Sequence, residues 1–295
     1  MEYASSPMDC WVSETQPLDV RLSLKLAKTL YSAQSEFQRV DVVETTGYGR
    51  MLLLDGLVMT TEHDEYIYHE MISHIPMLAH PNPQRVLVIG GGDGGTVREV
   101  LKHPSVEQVV LCEIDGLVID ACKQFLPTIA GQLNDPRVLI NVADGVAYMA
   151  EQNDAFDVII IDSTDPMGPG EGLFTENFYG HVKKALKFGG VVAAQTESPW
   201  ANQREMQKVY GVLQAVFPRV DCYIGHIPTY PGALWSWGIA QKAGLPPLAQ
   251  LDMQRVKTIE ATTRYYNQGI HSAAFALPNY VKSLLQTVPV ASVSA

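Results

Sequence analysis

An apolar run, a glycine-rich turn and a helical run follow one another between residues 85 and 115, and no other stretch restricts the possible folds of this chain so far. Arg85-Val86-Leu87-Val88-Ile89 leads into Gly90-Gly91-Gly92-Asp93-Gly94-Gly95 and a helical run over 96–102. A second apolar run, Val109-Val110-Leu111-Cys112, then closes on Glu113-Ile114-Asp115. Strand, tight turn and helix in that order form the first half of a βαβ unit. Glycines let the backbone turn sharply and approach a ligand, and the helix start offers free N–H groups. Glu113 falls at the end of the second strand, roughly 20 residues past the turn, where an acid accepts hydrogen bonds from ribose hydroxyls. The stretch is built to hold a nucleoside.

Asp93 narrows which one. It sits inside the glycine turn, where a dinucleotide would place its pyrophosphate. A carboxylate there repels phosphate and attracts an ammonium. This argues against a nicotinamide dinucleotide and for a nucleoside with a cationic tail. The plainer alternative is a tight turn whose solvated Asp caps the helix.

The remaining chain fits that frame. From residue 85 onward, predicted strands at 86–89, 109–113, 138–142, 158–162, 191–195, 220–224 and 234–240 alternate with predicted helices near 94–101, 117–125, 146–151, 176–186 and 203–217. Such alternation means a mostly parallel seven-stranded sheet with helices on both faces. No helix separates the last two strands, which are therefore expected to form an antiparallel hairpin. Ahead of this α/β region, residues 11–61 read as a small antiparallel β domain. Val20, Leu22, Leu24 and Leu26 alternate with polar residues, 37–45, 51–54 and 57–61 are further strands, and Asp55-Gly56 is a hairpin turn. From Asp64 the period becomes helical and ends at Pro81-Asn82-Pro83. The expected division is residues 1–80, a β-rich domain ending in a connecting helix, and 81–295, a nucleoside-binding domain with a C-terminal tail.

Composition excludes several classes. A formal net charge of -11 and the lack of a basic stripe speak against nucleic acid. An acidic chain suits cationic small substrates. The four cysteines lack metal-type spacing and read as thiols of a reducing cytosol. No apolar run is long enough for a membrane helix and residues 1–10 do not form a signal peptide, so the expected location is cytoplasmic.

In an open α/β sheet, ligands bind beyond the carboxyl ends of the strands. The residues at those ends are mostly acids: Asp93, Glu113, Asp144 before Gly145, and Asp162 followed by Ser163-Thr164-Asp165-Pro166, with Gln195 at the end of the fifth. Asp144 is placed to accept from an adenine amino group. Clustered carboxylates admit three readings: a Mg²⁺ site, a polyamine site, or strand-end acids that are solvated or cap helices. Nothing reads as a Lys or Arg phosphate clamp, which disfavours metal. The Gly/Pro-rich stretch 163–172 has the make-up of a lid at the mouth of the sheet. Tyr68 and His69 come from the preceding helix, and Tyr230 from a rigid turn near the last strands.

Taken together, Leu54-Asp55-Gly56, Asp64-Glu65-Tyr66-Ile67-Tyr68-His69-Glu70-Met71, the turn from Gly90 to Gly95, Cys112-Glu113-Ile114-Asp115, Asp144-Gly145, Asp157-Val158-Ile159-Ile160-Ile161-Asp162-Ser163-Thr164-Asp165-Pro166 and Ile227-Pro228-Thr229-Tyr230-Pro231 resemble the spermidine synthases, a family of polyamine aminopropyltransferases. The resemblance implies a small N-terminal β domain and a methyltransferase-like (Rossmann-type) catalytic domain. It implies decarboxylated S-adenosylmethionine as co-substrate, with no cofactor or metal, and putrescine or a related diamine as acceptor. The products would be spermidine and 5′-methylthioadenosine. By position it implies Gln38, Asp93, Glu113, Asp144, Gly145 and Pro169 as donor contacts. Tyr68, His69, Asp93, Asp162, Asp165, Tyr230 and Gln195 would meet the polyamine, with Asp162 as general base. A homodimer or homotetramer is expected. The alternatives are a methyltransferase on the same fold, an aminopropyltransferase for agmatine, cadaverine or spermidine, and a non-enzymatic polyamine or nucleoside sensor.

Overall fold

The structure, a computed structural model, describes residues 9–164, 168–243 and 251–287, and of Gly168 and Pro169 the backbone alone. Asp165 therefore lies outside the described residues, as does the side chain of Pro169. Five strands, β1 (Trp11–Gln16), β2 (Val20–Gln34), β3 (Arg39–Thr45), β4 (Gly49–Leu54) and β5 (Leu57–Thr61), form an antiparallel meander in sequence order. The expected strands are present. The first of them, β2, runs on to Gln34, past two register shifts at Leu26/Lys28 and Thr29/Tyr31. Each irregularity resets which side chains face the core, so the alternation visible up to Leu26 dissolves while the backbone pairing continues.

Seven strands form the second sheet: β6 (Arg85–Gly90), β7 (Gln108–Glu113), β8 (Val138–Val142), β9 (Phe156–Asp162), β10 (Leu186–Gln195), β11 (Val220–His226) and β12 (Leu234–Gln241). Their order is β11-β12-β10-β9-β6-β7-β8. Strands β10, β9, β6, β7 and β8 run parallel, and β12 is antiparallel to both its neighbours, as the missing crossover helix requires. Both faces are covered. Val86 and Val88 enter one apolar core and Leu87 and Ile89 the other, all at 1% exposure or less. An unbroken apolar run is what a strand buried on both faces needs.

The helices are α1 (Glu65–Ala79), α2 (Gly95–Val100), α3 (Gly116–Phe125), α4 (Pro127–Ala130), α5 (Gly145–Glu151), α6 (Glu176–Ala185), α7 (Gln203–Val216), α8 (Met253–Glu260), α9 (Gln268–Ala274) and α10 (Asn279–Gln286). Among the described residues none is long and apolar enough to cross a membrane. Helix α1 packs against α2 and against β9, β10 and β11 of the large sheet. The C-terminal tail docks on the same chain. Arg255 on α8 donates to the Met77, His80 and Pro81 carbonyls. The Glu70 carboxylate, 1% exposed, accepts the backbone N–H groups of Arg264, Tyr265 and Tyr266 at 2.7–2.8 Å.

That triple acceptor anchors the tail. Glu70→Gln turns one of its oxygens into a donor facing an N–H group, so the variant is expected to lose about 2–3 kcal/mol of stability in urea denaturation. The tail should also become sensitive to limited proteolysis. Unchanged stability would show that the tail is held by its apolar contacts alone.

Candidate active site

A cavity with about 920 Å³ of space, partly open to solvent, lies beyond the carboxyl ends of β6, β7, β8 and β9. The small sheet supplies one side of it through Gln38, Leu52, Leu54 and Met59. Tyr68, His69, Asp93, Glu113, Asp144, Gly145, Asp162 and Tyr230 line it together with Gln38, so most of the residues singled out by sequence converge on one space. Gln195 does not line it. It is 2% exposed, and its Nε2 donates to the Ser163 and Thr164 carbonyls at 3.4 Å each, under the start of the loop.

One end of the cavity is built from the ends of β7 and β8. Glu113 takes the Gly92 N–H at 3.1 Å and the Asp115 N–H at 3.0 Å. Burial pushes its carboxyl up to about 7, against the pull of those N–H groups. Asp144 accepts the Val146 N–H at 2.8 Å and so caps α5 while it faces the cavity. Gln38 reaches Asp115 Oδ2 at 3.0 Å, which ties the small sheet to the end of β7.

Two acids dominate the other end, and their surroundings drive them apart. Asp162, the last residue of β9, accepts the Tyr68 hydroxyl on Oδ1 and the Thr96 hydroxyl on Oδ2, both at 2.6 Å. Burial, and next the nearby charge of Asp93, raise its pKa above the ordinary aspartate value. Asp93 accepts the Gly95 N–H at 2.7 Å and lies 3.4 Å from His69 Nε2, both on Oδ1. Burial alone would favour its neutral form, but His69, the Gly95 N–H and the charge of Arg98 together outweigh it and hold Asp93 below the ordinary range. Among the described residues Oδ2 of Asp93 receives no hydrogen bond. The capping reading and the ligand reading of Asp93 are thus compatible, one oxygen serving each.

The glycine turn is shaped by Asp162. Gly90 and Gly91 have φ of 75° and 66°, and a Cβ on Gly91 would stand 2.6 Å from Asp162 Oδ2. An aromatic wall stands behind the acids: the Tyr68 ring lies 5.6 Å from Tyr230 and 5.7 Å from Trp237, and Tyr230 lies 4.8 Å from Trp235. Tyr230 is fixed by its hydroxyl, which donates to the Met59 carbonyl at 2.7 Å. Thr96 escaped the sequence reading because it looks like an ordinary first-turn helix residue. Its place directly after the glycine turn was the available signal. Among the described residues no cluster of His, Cys, Asp and Glu is arranged to hold a metal ion.

Comparison with known proteins agrees with this geometry. The family model of the spermine/spermidine synthase domain matches residues 65–253, and that of the spermidine synthase tetramerisation domain matches residues 10–62. The polyamine aminopropyltransferase of Bacillus mycoides (strain KBAB4) is 47% identical over 279 residues, covering 95% of this chain and 100% of the relative. That of Bacillus subtilis (strain 168) is 46% identical over 278 residues, covering 94% and 99%. Among solved structures, a spermidine synthase in complex with the transition state analogue AdoDATO superposes with a TM-score of 0.92 at 45% identity, over 97% of this chain and 98% of that one. The Thermotoga maritima spermidine synthase gives 0.89 at 43%, with the same coverage. With both family models matched along most of its length and close relatives aligned nearly end to end, the chain belongs to the spermine/spermidine synthase family.

Proposed function

We infer that this protein transfers the aminopropyl group of decarboxylated S-adenosylmethionine to putrescine, giving spermidine and 5′-methylthioadenosine. The observation that carries this reading is a pair of acids on one cavity with unlike partners: Asp93 lies 3.4 Å from His69 Nε2, whereas Asp162 accepts the neutral hydroxyls of Tyr68 and Thr96. Environments that separate two titratable groups assign them different roles. Asp93 anchors an ammonium, and Asp162 takes a proton.

The nucleoside binds with its ribose hydroxyls on Glu113 and its adenine near Asp144 and Gly145, with Gln38 and Pro169 completing its contacts. The aminopropyl ammonium meets Asp93. The diamine lies along Tyr68, His69, Asp162, Asp165 and Tyr230. Gln195, the remaining expected amine contact, supports the Ser163–Thr164 backbone from beneath. An alkylamine has a pKa of roughly 10 and is nearly all protonated at neutral pH. Asp162 removes the proton from the attacking nitrogen. The nitrogen lone pair then forms a C–N bond to the methylene next to the sulfonium, and the C–S bond breaks with its electron pair going to sulfur. The cationic sulfur becomes a neutral thioether. Holding donor and acceptor in line supplies much of the acceleration. No protein group is alkylated, and the chemistry calls for neither metal nor cofactor.

The matched tetramerisation domain and the exposed Trp11 and Val20 on β1 and β2 support assembly through the small sheets, as a homodimer or homotetramer. The reading is tested by giving the purified protein either sulfonium donor with a panel of putrescine, cadaverine, agmatine and spermidine. Methylthioadenosine and spermidine should accumulate fastest from the decarboxylated donor and putrescine. S-adenosylhomocysteine as the main product would make the protein a methyltransferase, and tight binding without turnover would make it a sensor.

A further inference from the structure

Behind the cavity wall four charged side chains stand in a row. Arg98 on α2 donates from Nη2 to Glu65 Oε2 at 2.7 Å. The same oxygen lies 2.6 Å from His69 Nδ1, and His69 Nε2 lies 3.4 Å from Asp93 Oδ1. Glu65 and His69 are four residues apart on α1, so they share a face. Glu65 is 8% exposed and His69 2%. The imidazole has no room to turn away. A Cβ on Gly95 would come within 2.3–2.5 Å of three ring atoms, and the Tyr68 ring stands edge-on at 5.5 Å. Glu65 and Arg98 do not line the cavity, and nothing in the reaction described above uses them.

We propose that Glu65, held by Arg98, is a positioning residue for the amine end of the site: it fixes His69 with Nδ1–H toward Glu65 and Nε2–H toward Asp93, so that Asp93 meets the ligand's ammonium already ionised. The inference rests on the reading of Asp93 as the ammonium anchor. The sign of each member alternates, Arg98 positive, Glu65 negative, His69 positive and Asp93 negative, and the ligand's cation is the next in the series. The groups facing His69 are Glu65 and Tyr68 on its own helix, Asp93 from the turn, Asp162 from the end of β9, and Arg98 through Glu65. Burial favours the neutral ring, yet the carboxylates of Asp93 and Glu65 outweigh it and hold His69 well above the ordinary histidine range. Removing the Glu65 charge takes away one of those two carboxylates. A ring that then goes neutral leaves Asp93 buried beside Asp162 with only Arg98, behind the ring, as a cation, and its carboxyl takes up a proton more readily. An ammonium can bind there only after that proton leaves, a cost that grows about ten-fold in affinity per pH unit below the new pKa and vanishes above it.

The test is the pH dependence of Kd, measured on the full chain by calorimetry with decarboxylated S-adenosylmethionine and with 5′-methylthioadenosine, which lacks the ammonium. The aliphatic amine stays charged well below its pKa of roughly 10, so the ligand's own titration does not intrude at neutral pH. The wild type should show a ratio of the two affinities that is flat through neutral pH. In Glu65→Gln, donor affinity should be weak at acidic pH, tighten by about ten-fold per unit, and converge on the wild type at alkaline pH. Methylthioadenosine affinity should not move, which also certifies that the variant is folded. If Glu65→Gln does not fold, Arg98→Gln should show the same profile with smaller amplitude. A flat profile in the folded variant, or one constant loss for both ligands, overturns the inference. Asp93→Asn separates the two levels. Weakened donor binding there with an unaltered Glu65→Gln profile removes the role of Glu65 alone, whereas unweakened donor binding in Asp93→Asn removes the anchor reading and this inference together.

Discussion

Replacing Asp162 by Asn lowers kcat by about 10²–10⁴-fold while donor affinity changes only a few-fold. The size follows from general base catalysis, which a positioned carboxylate supplies and an amide does not. The split between turnover and binding follows from the geometry. Both oxygens of Asp162 are engaged by hydroxyls, Tyr68 and Thr96, which can rotate to accommodate an amide. The Asn side chain therefore stays in place against Gly91 and leaves the nucleoside end untouched. The pH profile provides a second readout. Burial and the charge of Asp93 raise the Asp162 pKa, and the ionised form is the one that accepts a proton. Wild-type kcat should therefore begin to fall, as pH decreases, at a higher pH than an ordinary carboxylate would give. In the Asn variant that acid limb should disappear, leaving only the rise as the amine itself deprotonates at high pH. Steady-state rates across pH with saturating donor measure both effects. Turnover near wild type in the Asn variant would assign the proton to another acceptor.

Which parts of this site could be read from the sequence has a physical explanation. Parallel strands all end on one edge of a sheet, so Asp93, Glu113, Asp144 and Asp162 had to meet once the βαβ pattern was recognised. Their shared location is a consequence of topology, and topology is legible as period and turn chemistry. The pairing that sets their charges is not. Arg98 lies 33 residues beyond Glu65, and only the packing of α2 on α1 brings the two together. Gly95 reads in sequence as another turn glycine, whereas its place is decided by the His69 ring against it. Gln195 ends a strand at the correct edge, and no pattern in the sequence foretells that its side chain reaches two loop carbonyls. The tail was legible only as aromatic clusters. Its helices are short, and each brings only a few apolar residues to the core, such as Val256, Ile259 and Val281, beside polar anchors such as Glu70 and Arg255.

Replacing Asp93 by Ser should collapse discrimination between the decarboxylated donor and ordinary S-adenosylmethionine by about 10²-fold or more. Two effects add in the same direction. The ammonium of the proper donor loses a charge-assisted partner, a loss of about 1.5–3 kcal/mol. The α-carboxylate of ordinary S-adenosylmethionine no longer meets a like charge, whose repulsion costs several kcal/mol at an interface. The surroundings sharpen the change. His69 keeps its Glu65 partner at 2.6 Å, so the imidazole stays in place and its Nε2 no longer has a carboxylate between it and the ligand. The Ser variant should therefore bind the two sulfonium ligands with nearly equal affinity, while methylthioadenosine binds as before. Competition calorimetry with the three ligands measures this directly. A variant that still prefers the decarboxylated donor as strongly as the wild type would locate the selection elsewhere on the cavity wall, in the Asp162 carboxylate or the aromatic surfaces of Tyr68 and Tyr230, and would separate charge selection from proton removal.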